Sequence, residues 1–415
     1  MKKLMGMLLI IALSLSALAG CGKTGSENAG KIGGEINLYY WDNAQKVVMD
    51  KIIEGFNKQY PEAKVNTTVI PWDQYWLKLQ TSLPSGTGPD VFWMNGPNAP
   101  SYVQKGLLED LTDRMAKDSI DLGNYTKSVV QLYTFNDKTY AIPKDKDTIG
   151  LFYNKDLFDK AGLPYPDDTW TWDTLLANAQ KLTGNGNYGF VAASTMNSGL
   201  GNFIYQAGGS IYSSDGKTVT INSSEAEKAV QYMVDMMYKY KVSPTAAEQQ
   251  ENNGEALFES GKLAMISDGC WMATTFEKSL GNKLEVAPLP KGAQRAAIAH
   301  GIGFVMNSKS KNKTTAWAFL KYCSTKEAQE AQSSVVIPAY IGAEQNWENG
   351  IPGVNLKVFV DALNSYSIPY PVAAKNSSEV DTAFNKEISN IWFQSKDVKK
   401  GLADAEKAMN ETLQK

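Results

Sequence analysis

The feature that most constrains the fold of this chain is the regular alternation of strand-like and helix-like patterns over residues 35–94. The strand-like segments are 35–41, 65–70 and 90–94. Apolar residues recur every four positions in the first intervening segment, at Val48, Ile52, Phe56 and Tyr60. The second intervening segment has the spacing of a helix face, at Trp72, Tyr75, Trp76, Leu79 and Leu83. Three strands joined by two amphipathic helices predict βαβ units, and therefore a mainly parallel sheet with helices on its faces.

A second series of patterns follows residue 148 and predicts a second lobe. Asn154 follows a strand pattern at 150–153 and is suited to begin a helix, and Gly162 is suited to end it. The other predicted elements are helices at 172–182, 224–240 and 314–322, strands at 218–221, 263–266 and 303–306, and a helical C-terminal segment at 380–413. A chain of 415 residues exceeds what one hydrophobic core supports. We therefore expect two α/β lobes, each with a mainly parallel sheet.

The N-terminal residues indicate where the protein works. Two lysines precede an uncharged stretch at 4–18, and small residues lead into Cys21. A positive start, an apolar run too short to span a bilayer and small residues before a cysteine are typical of a lipoprotein signal. We expect residues 1–20 to be removed, lipid on Cys21 to anchor the chain to the outer face of a bacterial membrane, and residues 21–34 to form a flexible tether. The alternative is an ordinary signal peptide with Cys21 as an incidental thiol.

Charge and cysteine content exclude several classes of protein. The formal charge is −3, and removal of the two lysines in the signal leaves −5, with no basic cluster, so we expect no nucleic-acid partner. Cys270 and Cys323 are the other cysteines. We expect both to be free and buried, with a disulfide as the alternative. The single histidine, His300, cannot build a histidine-rich metal site, so we expect neither a metal nor a cofactor.

Several segments carry a family resemblance, and their order along the chain matters more than any one of them. They are Pro-Asp-Val-Phe-Trp at 89–93, Gly-Leu-Leu-Glu-Asp-Leu at 106–111, Tyr-Ala-Ile-Pro at 140–143, Gly-Leu-Phe-Tyr-Asn-Lys at 150–155, Thr-Trp-Thr-Trp-Asp at 169–173, Val-Thr-Ile-Asn at 219–222, Phe-Glu-Ser-Gly-Lys-Leu-Ala-Met at 258–265 and Gly-Cys-Trp at 269–271. In this order the chain resembles the family 1 extracellular solute-binding proteins. These are lipoprotein or periplasmic receptors of ABC importers, related to maltose-binding protein.

The resemblance implies a two-lobe periplasmic-binding-protein-like fold with a ligand cleft at the hinge. The lobes would be residues 35–143 with about 302–345, and 144–301 with about 346–415. It further implies a monomeric, non-enzymatic receptor that captures a carbohydrate, in particular an oligosaccharide, and delivers it to ABC permease subunits. Closure of the lobes over the ligand is the mechanism expected of such receptors.

Four candidate ligand contacts come from the first lobe. Trp41 and Asp42 pair an aromatic face with a carboxylate at the C-terminal end of the first strand, where ligands bind in open α/β sheets. Asn95 ends the third strand, where members of the resembled family place a polar contact, although it could simply form the turn before Gly-Pro. Trp93, two residues earlier, faces either the core or the cleft.

Four more candidates come from the crossings and the second lobe. Trp271 follows a glycine-rich turn, and the resemblance implies that its ring stacks on ligand, with packing between lobes as the alternative. Asp145 lies where the chain first crosses between the lobes, so it either faces ligand or merely solvates a hinge. His300 precedes a turn back to the first lobe, and a lone histidine more often has a structural role. Tyr370, in the last crossing region, is a candidate because its backbone is stiffened by flanking prolines and its ring is amphipathic.

Two other kinds of function remain open. A glycoside hydrolase requires only two suitably spaced carboxylates, and the chain has 44 Asp and Glu residues. The second is a receptor of the same fold that serves a non-sugar solute, or that presents its ligand to a membrane sensor rather than an importer. The aromatic residues favour an oligosaccharide over a small charged solute.

Overall fold

The computed structural model describes residues 31–415. The predicted signal at 1–20, the predicted lipid site Cys21 and most of the predicted tether at 21–34 lie outside these residues. The strands are β1 Gly34–Tyr40, β2 Ala63–Val69, β3 Val91–Asn95, β4 Thr134–Phe135, β5 Lys138–Thr139, β6 Ala141–Pro143, β7 Ile149–Asn154, β8 Tyr188–Phe190, β9 Leu263–Gly269, β10 Leu284–Ala287, β11 Ala297–Ala299, β12 Ile302–Met306 and β13 Ser367–Pro369.

Helices account for much of the rest of the chain, and the segments between the sheets are mostly helical. The α-helices are Lys46–Gln59, Trp72–Ser82, Ala99–Gln104, Thr112–Lys117, Lys127–Gln131, Lys155–Ala161, Trp172–Leu182, Leu200–Gln206, Ser224–Tyr238, Ala246–Glu251, Gly254–Glu259, Ala273–Leu280, Lys313–Cys323, Lys326–Gln332, Gln345–Glu348, Lys357–Ser365, Ser377–Trp392 and Val398–Leu413. The 3-10 helices are Asn43–Gln45, Gly96–Asn98, Leu122–Asn124, Cys270–Met272 and Gly281–Lys283. Within the described residues no helix is both long enough and apolar enough to cross a membrane.

The first lobe is built on a five-stranded sheet in the order β2-β1-β3-β12-β6. Strands β1, β2 and β3 run parallel, whereas β12 pairs antiparallel with both β3 and β6. Both faces of β3 are buried: Trp93 packs with the helix Lys46–Gln59 on one side, and Phe92 packs with the helix Trp72–Ser82 on the other. A continuous apolar strand is what burial on both faces requires.

The second lobe contains a four-stranded sheet in the order β10-β7-β9-β8. Strand β7 pairs antiparallel with both β9 and β10, and only β8 and β9 are parallel. Its first helix begins and ends as predicted: Asn154 accepts a hydrogen bond from the amide of Asp156, and Gly162 is left-handed with φ of 62°. The second sheet is therefore mixed, because β7 enters from the first lobe against the direction of its neighbours.

Two segments run between the two sheets and are hydrogen-bonded to each other, and a third segment, around Pro338, is hydrogen-bonded to the first of them. The segment 144–148 links β6 to β7, and His300 and Gly301 link β11 to β12. Asp147 and His300 exchange backbone hydrogen bonds of 3.0 and 2.7 Å, and Asp145 forms an isolated antiparallel bridge with Pro338. A Cβ at Gly301 would lie 2.6 Å from the carbonyl oxygen of Asp145, so only glycine fits there. These segments form the hinge.

Two lysines are fully buried in this hinge. Lys144 pairs with Asp145 at 2.7 Å, and Lys146 pairs with Glu344 at 3.0 Å. Burial lowers the pKa of Lys146, and Glu344 partly opposes that shift. Because removing one partner of a buried pair leaves an uncompensated charge, each pair requires both of its members.

Two sequence predictions differ from the structure. Residues 218–221 form no strand, because only Val219 pairs, through an isolated bridge with Tyr212. The C-terminal segment is not continuous: the helix Ser377–Trp392 ends before Gln394, which is left-handed with φ of 56°, and Asp397 caps the next helix through the amide of Lys400. The prediction of free, buried cysteines is confirmed for Cys270 and Cys323.

The division of the chain between lobes stays a prediction at its boundaries. Strand β12 lies in the first sheet, and the helix Lys326–Gln332 packs on the helix Lys46–Gln59 of the first lobe. The C-terminal helix Val398–Leu413 packs with the helix Ser224–Tyr238 of the second lobe.

Candidate functional site

Five aromatic side chains gather at the C-terminal edge of the first sheet. This first-lobe aromatic cluster consists of Trp41, Trp72, Tyr75, Trp76 and Trp93. The ring centroid of Trp41 lies 5.2 Å from Trp72, 5.0 Å from Tyr75, 5.8 Å from Trp76 and 5.3 Å from Trp93. Its position directly after β1 is the edge at which open α/β sheets bind ligands.

The cluster has a buried floor and an accessible rim. Trp93 and Tyr75 are fully buried, and the Tyr75 hydroxyl donates to the carbonyl oxygen of Trp93 at 2.8 Å. Trp41 and Trp76 are half-buried, and Trp72 is 46% exposed. The prediction that Trp93 contacts ligand is therefore corrected: its ring lies in the core beneath Trp41, with no surface available to a ligand. The rim of the cluster offers aromatic faces to a ligand.

Asp42 and Asn95 both cap 3-10 helices beside this rim. Asp42 accepts from the amide of Ala44 at 2.8 Å and from the Gln45 side chain at 2.9 Å. Asn95 accepts from the amide and the side chain of Asn98, at 3.3 and 2.8 Å. The observed contacts of Asn95 are thus those of a turn-forming residue, which was the alternative to a ligand contact. Carboxylate and amide oxygens each keep a second acceptor position, so a ligand contact for both residues stays a prediction.

A chain of hydrogen bonds links this rim to the hinge. Gln45 donates to Asp42 and accepts from the Nζ of Lys144 at 2.6 Å. That Nζ lies 4.4 Å from the centroid of the Trp93 ring and 2.7 Å from Asp145 Oδ2. The cation therefore holds the floor of the cluster against the first crossing segment.

Asp145 lies inside the hinge rather than on a ligand surface. Its side chain is 1% exposed, and both oxygens are engaged, one by Lys144 and the other by the amide of Ile302 at 2.6 Å. The prediction that Asp145 contacts ligand is corrected, because its acceptors serve the hinge. Its neighbour Asp147 accepts from the thiol of Cys270 at 3.3 Å, and burial, together with the nearby Asp145 charge, raises the pKa of Asp147 to about 7.

Trp271 presents its indole at the end of β9. The side chain is 43% exposed, and its ring lies over Gly269, in the space that a Cβ at that position would occupy. Glycine at 269 thus permits the orientation of the indole. An exposed large ring held in one orientation is available for stacking, so the predicted ligand contact of Trp271 remains a prediction.

His300 and Tyr370 continue this surface toward the first lobe. The His300 ring lies 5.5 Å from Trp271, nearly edge-on, and 5.2 Å from Tyr370. Its Nε2 is enclosed and has no hydrogen-bond partner among residues 31–415. Burial lowers the pKa of His300 to about 4, so the ring is neutral at physiological pH. Tyr370 also packs against a buried apolar cluster of the first lobe, which places it between the lobes.

Asp381 is a partly buried carboxylic acid that the sequence analysis did not single out. It lies on the helix Ser377–Trp392, which contacts the first-lobe segment Gly96–Asn98. Burial raises the pKa of the Asp381 carboxyl to about 7, and the neighbouring Tyr212 hydroxyl partly opposes that shift. The rings of Trp271, His300 and Tyr370 contact one another in series, and we call them the hinge-side group. The first-lobe aromatic cluster is the first wall of the candidate site, and the hinge-side group is the second.

One signal in the sequence could have identified two of the residues that the analysis missed. Trp72 and Trp76 belong to a stripe that reads as a core-facing helix, but the stripe begins directly after β2, at the ligand-binding edge of the sheet. Asp381 sits among polar residues of an amphipathic helix and gives no local signal. Residues 31–415 contain no group of three or more His, Cys, Asp or Glu side chains arranged to hold a metal ion.

Comparison with known proteins accords with this geometry. The family model described as bacterial extracellular solute-binding protein matches residues 42–330. The galactooligosaccharide-binding protein of Bacillus subtilis is 30% identical over 370 residues, covering 83% of this chain and 84% of the relative. The arabinooligosaccharide-binding protein of the same organism is 28% identical over 346 residues, covering 79% and 77%.

A solved structure shows the same fold. The ABC substrate-binding protein of Listeria monocytogenes in complex with cycloalternan superposes with a TM-score of 0.83 at 29% identity, covering 92% of this chain and 99% of that protein. Maltose-bound MalE3 of T. maritima superposes with a TM-score of 0.75 at 25% identity, covering 91% and 99%.

Proposed function

This chain belongs to the bacterial extracellular solute-binding proteins, and from that premise we propose that it captures an oligosaccharide between its lobes and delivers it to an ABC permease. The observation that carries the proposal is the first-lobe aromatic cluster, whose rim exposes indole faces beside the Asp42 and Asn95 acceptors. Sugars offer flat C–H patches and many hydroxyls, so they require this combination of surfaces. The oligosaccharide-binding relatives support the ligand class.

The second wall supplies what the first lacks. Trp271 offers another ring for stacking, and the His300 ring beside it supports the indole edge-on. A ligand that reaches both walls would bring the lobes together, and the closed form would be what the permease recognises. No step of this function changes a covalent bond, and we propose a receptor rather than an enzyme.

Thermal unfolding of the mature chain, residues 21–415, tests the ligand class. Galacto-, arabino- and maltooligosaccharides would be compared with monosaccharides, polyamines and amino acids. A ligand at 100 times its Kd adds about 2.7 kcal/mol, a shift of a few degrees in Tm. Shifts with one oligosaccharide series support the proposal. A shift with a polyamine or amino acid alone would keep the fold and overturn the carbohydrate assignment, and chromatographic appearance of shorter sugars would identify a hydrolase.

We also propose that lipid on Cys21 tethers the monomeric receptor to the extracytoplasmic face of the membrane. Cys21→Ala should release the protein from the membrane fraction while leaving sugar affinity unchanged, because the residue precedes the folded lobes. Fractionation followed by immunoblotting measures retention, and Cys270→Ala serves as a matched cysteine control that stays membrane-bound. A Cys21→Ala protein still retained in membranes would exclude acylation there.

A further inference from the structure

The side-chain amide of Gln45 bridges a buried cation and a carboxylate at the rim of the aromatic cluster. Its Oε1 accepts from the Nζ of Lys144 at 2.6 Å, and its Nε2 donates to Oδ2 of Asp42 at 2.9 Å. Gln45 is 6% exposed and ends the 3-10 helix that Asp42 caps. The bridge therefore joins the hinge, where Lys144 lies, to the rim of the candidate site.

Charge fixes the direction in which this amide points. In the observed orientation, the amide oxygen faces an ammonium group and the amide NH₂ group faces a carboxylate. The flipped amide would set two donors against each other at Lys144 and two acceptors against each other at Asp42. No other uncharged side chain of this length carries both a donor and an acceptor at its end. Glutamine is therefore the side chain that satisfies both charged groups at once.

The two ends of the bridge have different consequences for the molecule. Lys144 is fully buried, and its Nζ also lies 2.7 Å from Asp145 Oδ2 and 4.4 Å from the centroid of the Trp93 ring. These three neighbours match the three donors of an ammonium group, so the Gln45 oxygen stabilises a buried cation. The Nε2 end meets no buried charge. It restrains Asp42, whose side chain is partly exposed.

Asp42 is held by one donor on each of its two oxygens. The amide of Ala44 donates to Oδ1 at 2.8 Å, and Gln45 donates to Oδ2 at 2.9 Å. A carboxylate oxygen accepts more than one hydrogen bond, so each oxygen keeps a position for a sugar hydroxyl. Fixing the carboxylate before the ligand arrives removes a side-chain ordering cost from binding. Without Gln45, the Ala44 amide would be the remaining hydrogen-bond donor to Asp42 among residues 31–415.

We propose that Gln45 is a positioning residue of this receptor, whose amide holds the Asp42 carboxylate in the orientation that accepts hydrogen bonds from the hydroxyls of a bound sugar. Gln45 acts through Asp42 and requires no contact with the ligand, in keeping with its burial. This inference rests on the proposed function and deepens it, because it makes the binding competence of Asp42 depend on a residue anchored to the hinge through Lys144.

Two substitutions of Gln45 separate the two ends of the bridge. Gln45→Glu keeps an oxygen for Lys144 but sets a second carboxylate against Asp42, whereas Gln45→Met removes both hydrogen bonds. At pH 8 we expect both variants to bind sugar about tenfold more weakly, because the Asp42 carboxylate loses a donor. Tm should fall in Gln45→Met, which leaves the buried Lys144 cation without this acceptor, and should stay near that of the unmodified protein in Gln45→Glu.

Tryptophan fluorescence titration of the mature chain with galactotriose, arabinotriose and maltotriose measures the affinity. Gln59→Met provides the matched control, since Gln59 is exposed at the far end of the helix that follows Gln45, and it should change neither affinity nor Tm. If the role of Gln45 were merely structural, affinity would follow Tm across the variants. Gln45→Glu would then bind sugar as tightly as the unmodified protein does, which would overturn the proposal. If Gln45→Met does not fold, Gln45→Glu still decides the question.

A double-mutant cycle supplies an independent measurement. Asp42→Ala alone should weaken binding by about tenfold, since a hydrogen bond to a charged group is lost. Adding Gln45→Glu to Asp42→Ala should cause no further loss, because the residue through which Gln45 acts is gone. Losses that add in the double variant would show that Gln45 affects affinity by another route, and they would contradict its assignment as a positioning residue for Asp42.

The outcomes separate this inference from the function on which it rests. If none of the three sugars binds the unmodified protein, the oligosaccharide assignment fails, and the role of Gln45 fails with it. If one of them binds and Asp42→Ala binds it equally well, the receptor stands while Asp42 leaves the site, and the positioning role of Gln45 is overturned.

Discussion

The first-lobe aromatic cluster and the hinge-side group are built differently. In the cluster, Trp93 and Tyr75 form a fully buried floor, in which Tyr75 donates to the Trp93 carbonyl and Lys144 lies over the Trp93 ring. In the hinge-side group, the Trp271 ring is 43% exposed and lies over Gly269. The first wall is thus supported by a packed floor, whereas the second presents its largest ring directly to the surface.

This difference teaches how affinity and selectivity are divided. Stacking on indole faces is tolerant of sugar identity, because many sugars present a flat C–H patch. Hydrogen bonds to unpaired polar groups are selective, because a wrong ligand leaves those groups unsatisfied. We therefore expect substitutions in the buried floor of the first wall to act mainly on stability, and substitutions of the exposed rings to act mainly on ligand binding.

The largest expected effect comes from the floor of the first wall. Trp93→Ala should lower the free energy of unfolding by about 3 to 5 kcal/mol, since it empties a fully buried site beneath Trp41 and removes the ring over which Lys144 lies. Urea unfolding measures the change, and Trp93→Phe serves as a control that keeps a ring and should cost less. Unchanged stability with abolished sugar binding would return Trp93 to the ligand surface and break the contrast between floor and rim.

A smaller effect is expected from the second wall, and on binding alone. Trp271→Ala should weaken oligosaccharide binding by about 2 to 3 kcal/mol if the ring stacks centrally on ligand, as anchor residues do. Because the side chain is 43% exposed, Tm should change little. Calorimetric titration gives the affinity, and Trp72→Ala, an exposed tryptophan of the opposite rim, provides the matched comparison. Full affinity in a folded Trp271→Ala protein would remove this residue from the site.

Helices and strands were predicted correctly where one hydrophobic periodicity extends over a whole segment. The stripe starting at Val48 and the capping residues Asn154 and Gly162 were correctly interpreted because they depend on local spacing and backbone geometry. The break at Gln394 was missed, since no glycine or proline marks it and the helices on both sides are amphipathic. Local pattern thus defines most elements but not every boundary.

The site was less predictable because its residues come from distant segments. Whether Trp93 faces core or cleft depends on which side of the sheet β12 and its helix cover, which the strand pattern alone does not contain. Asp145 reads as a hinge charge exposed to ligand, yet a buried lysine and a backbone amide occupy its oxygens. The environment of Asp381 includes Tyr212, which lies far away in sequence.

The smallest expected effect concerns the protonation of His300 and whether it changes sugar affinity or stability. Burial holds the pKa of His300 at about 4, below its usual 6.5, so the ring is neutral from pH 5 to 8 and should not change ligand affinity across that range. The stability contributed by the neutral, buried His300 ring is fully present above pH 6.5 and is lost as the pH falls toward 4. The reason is that the histidine of the unfolded chain binds a proton at a higher pH than the folded one does.

His300→Asn should therefore alter the free energy of unfolding by less than about 0.5 kcal/mol at pH 7 through titration, and gain about 1 to 2 kcal/mol relative to the unmodified chain at pH 5. Asp147, Asp268 and Asp381, whose pKa values burial raises to about 7, act in the opposite direction and are common to both proteins. Chemical unfolding at the two pH values isolates the histidine. A pH dependence of sugar affinity between pH 5 and 8 that disappears in His300→Asn would contradict this prediction and make the imidazole a titrating ligand contact.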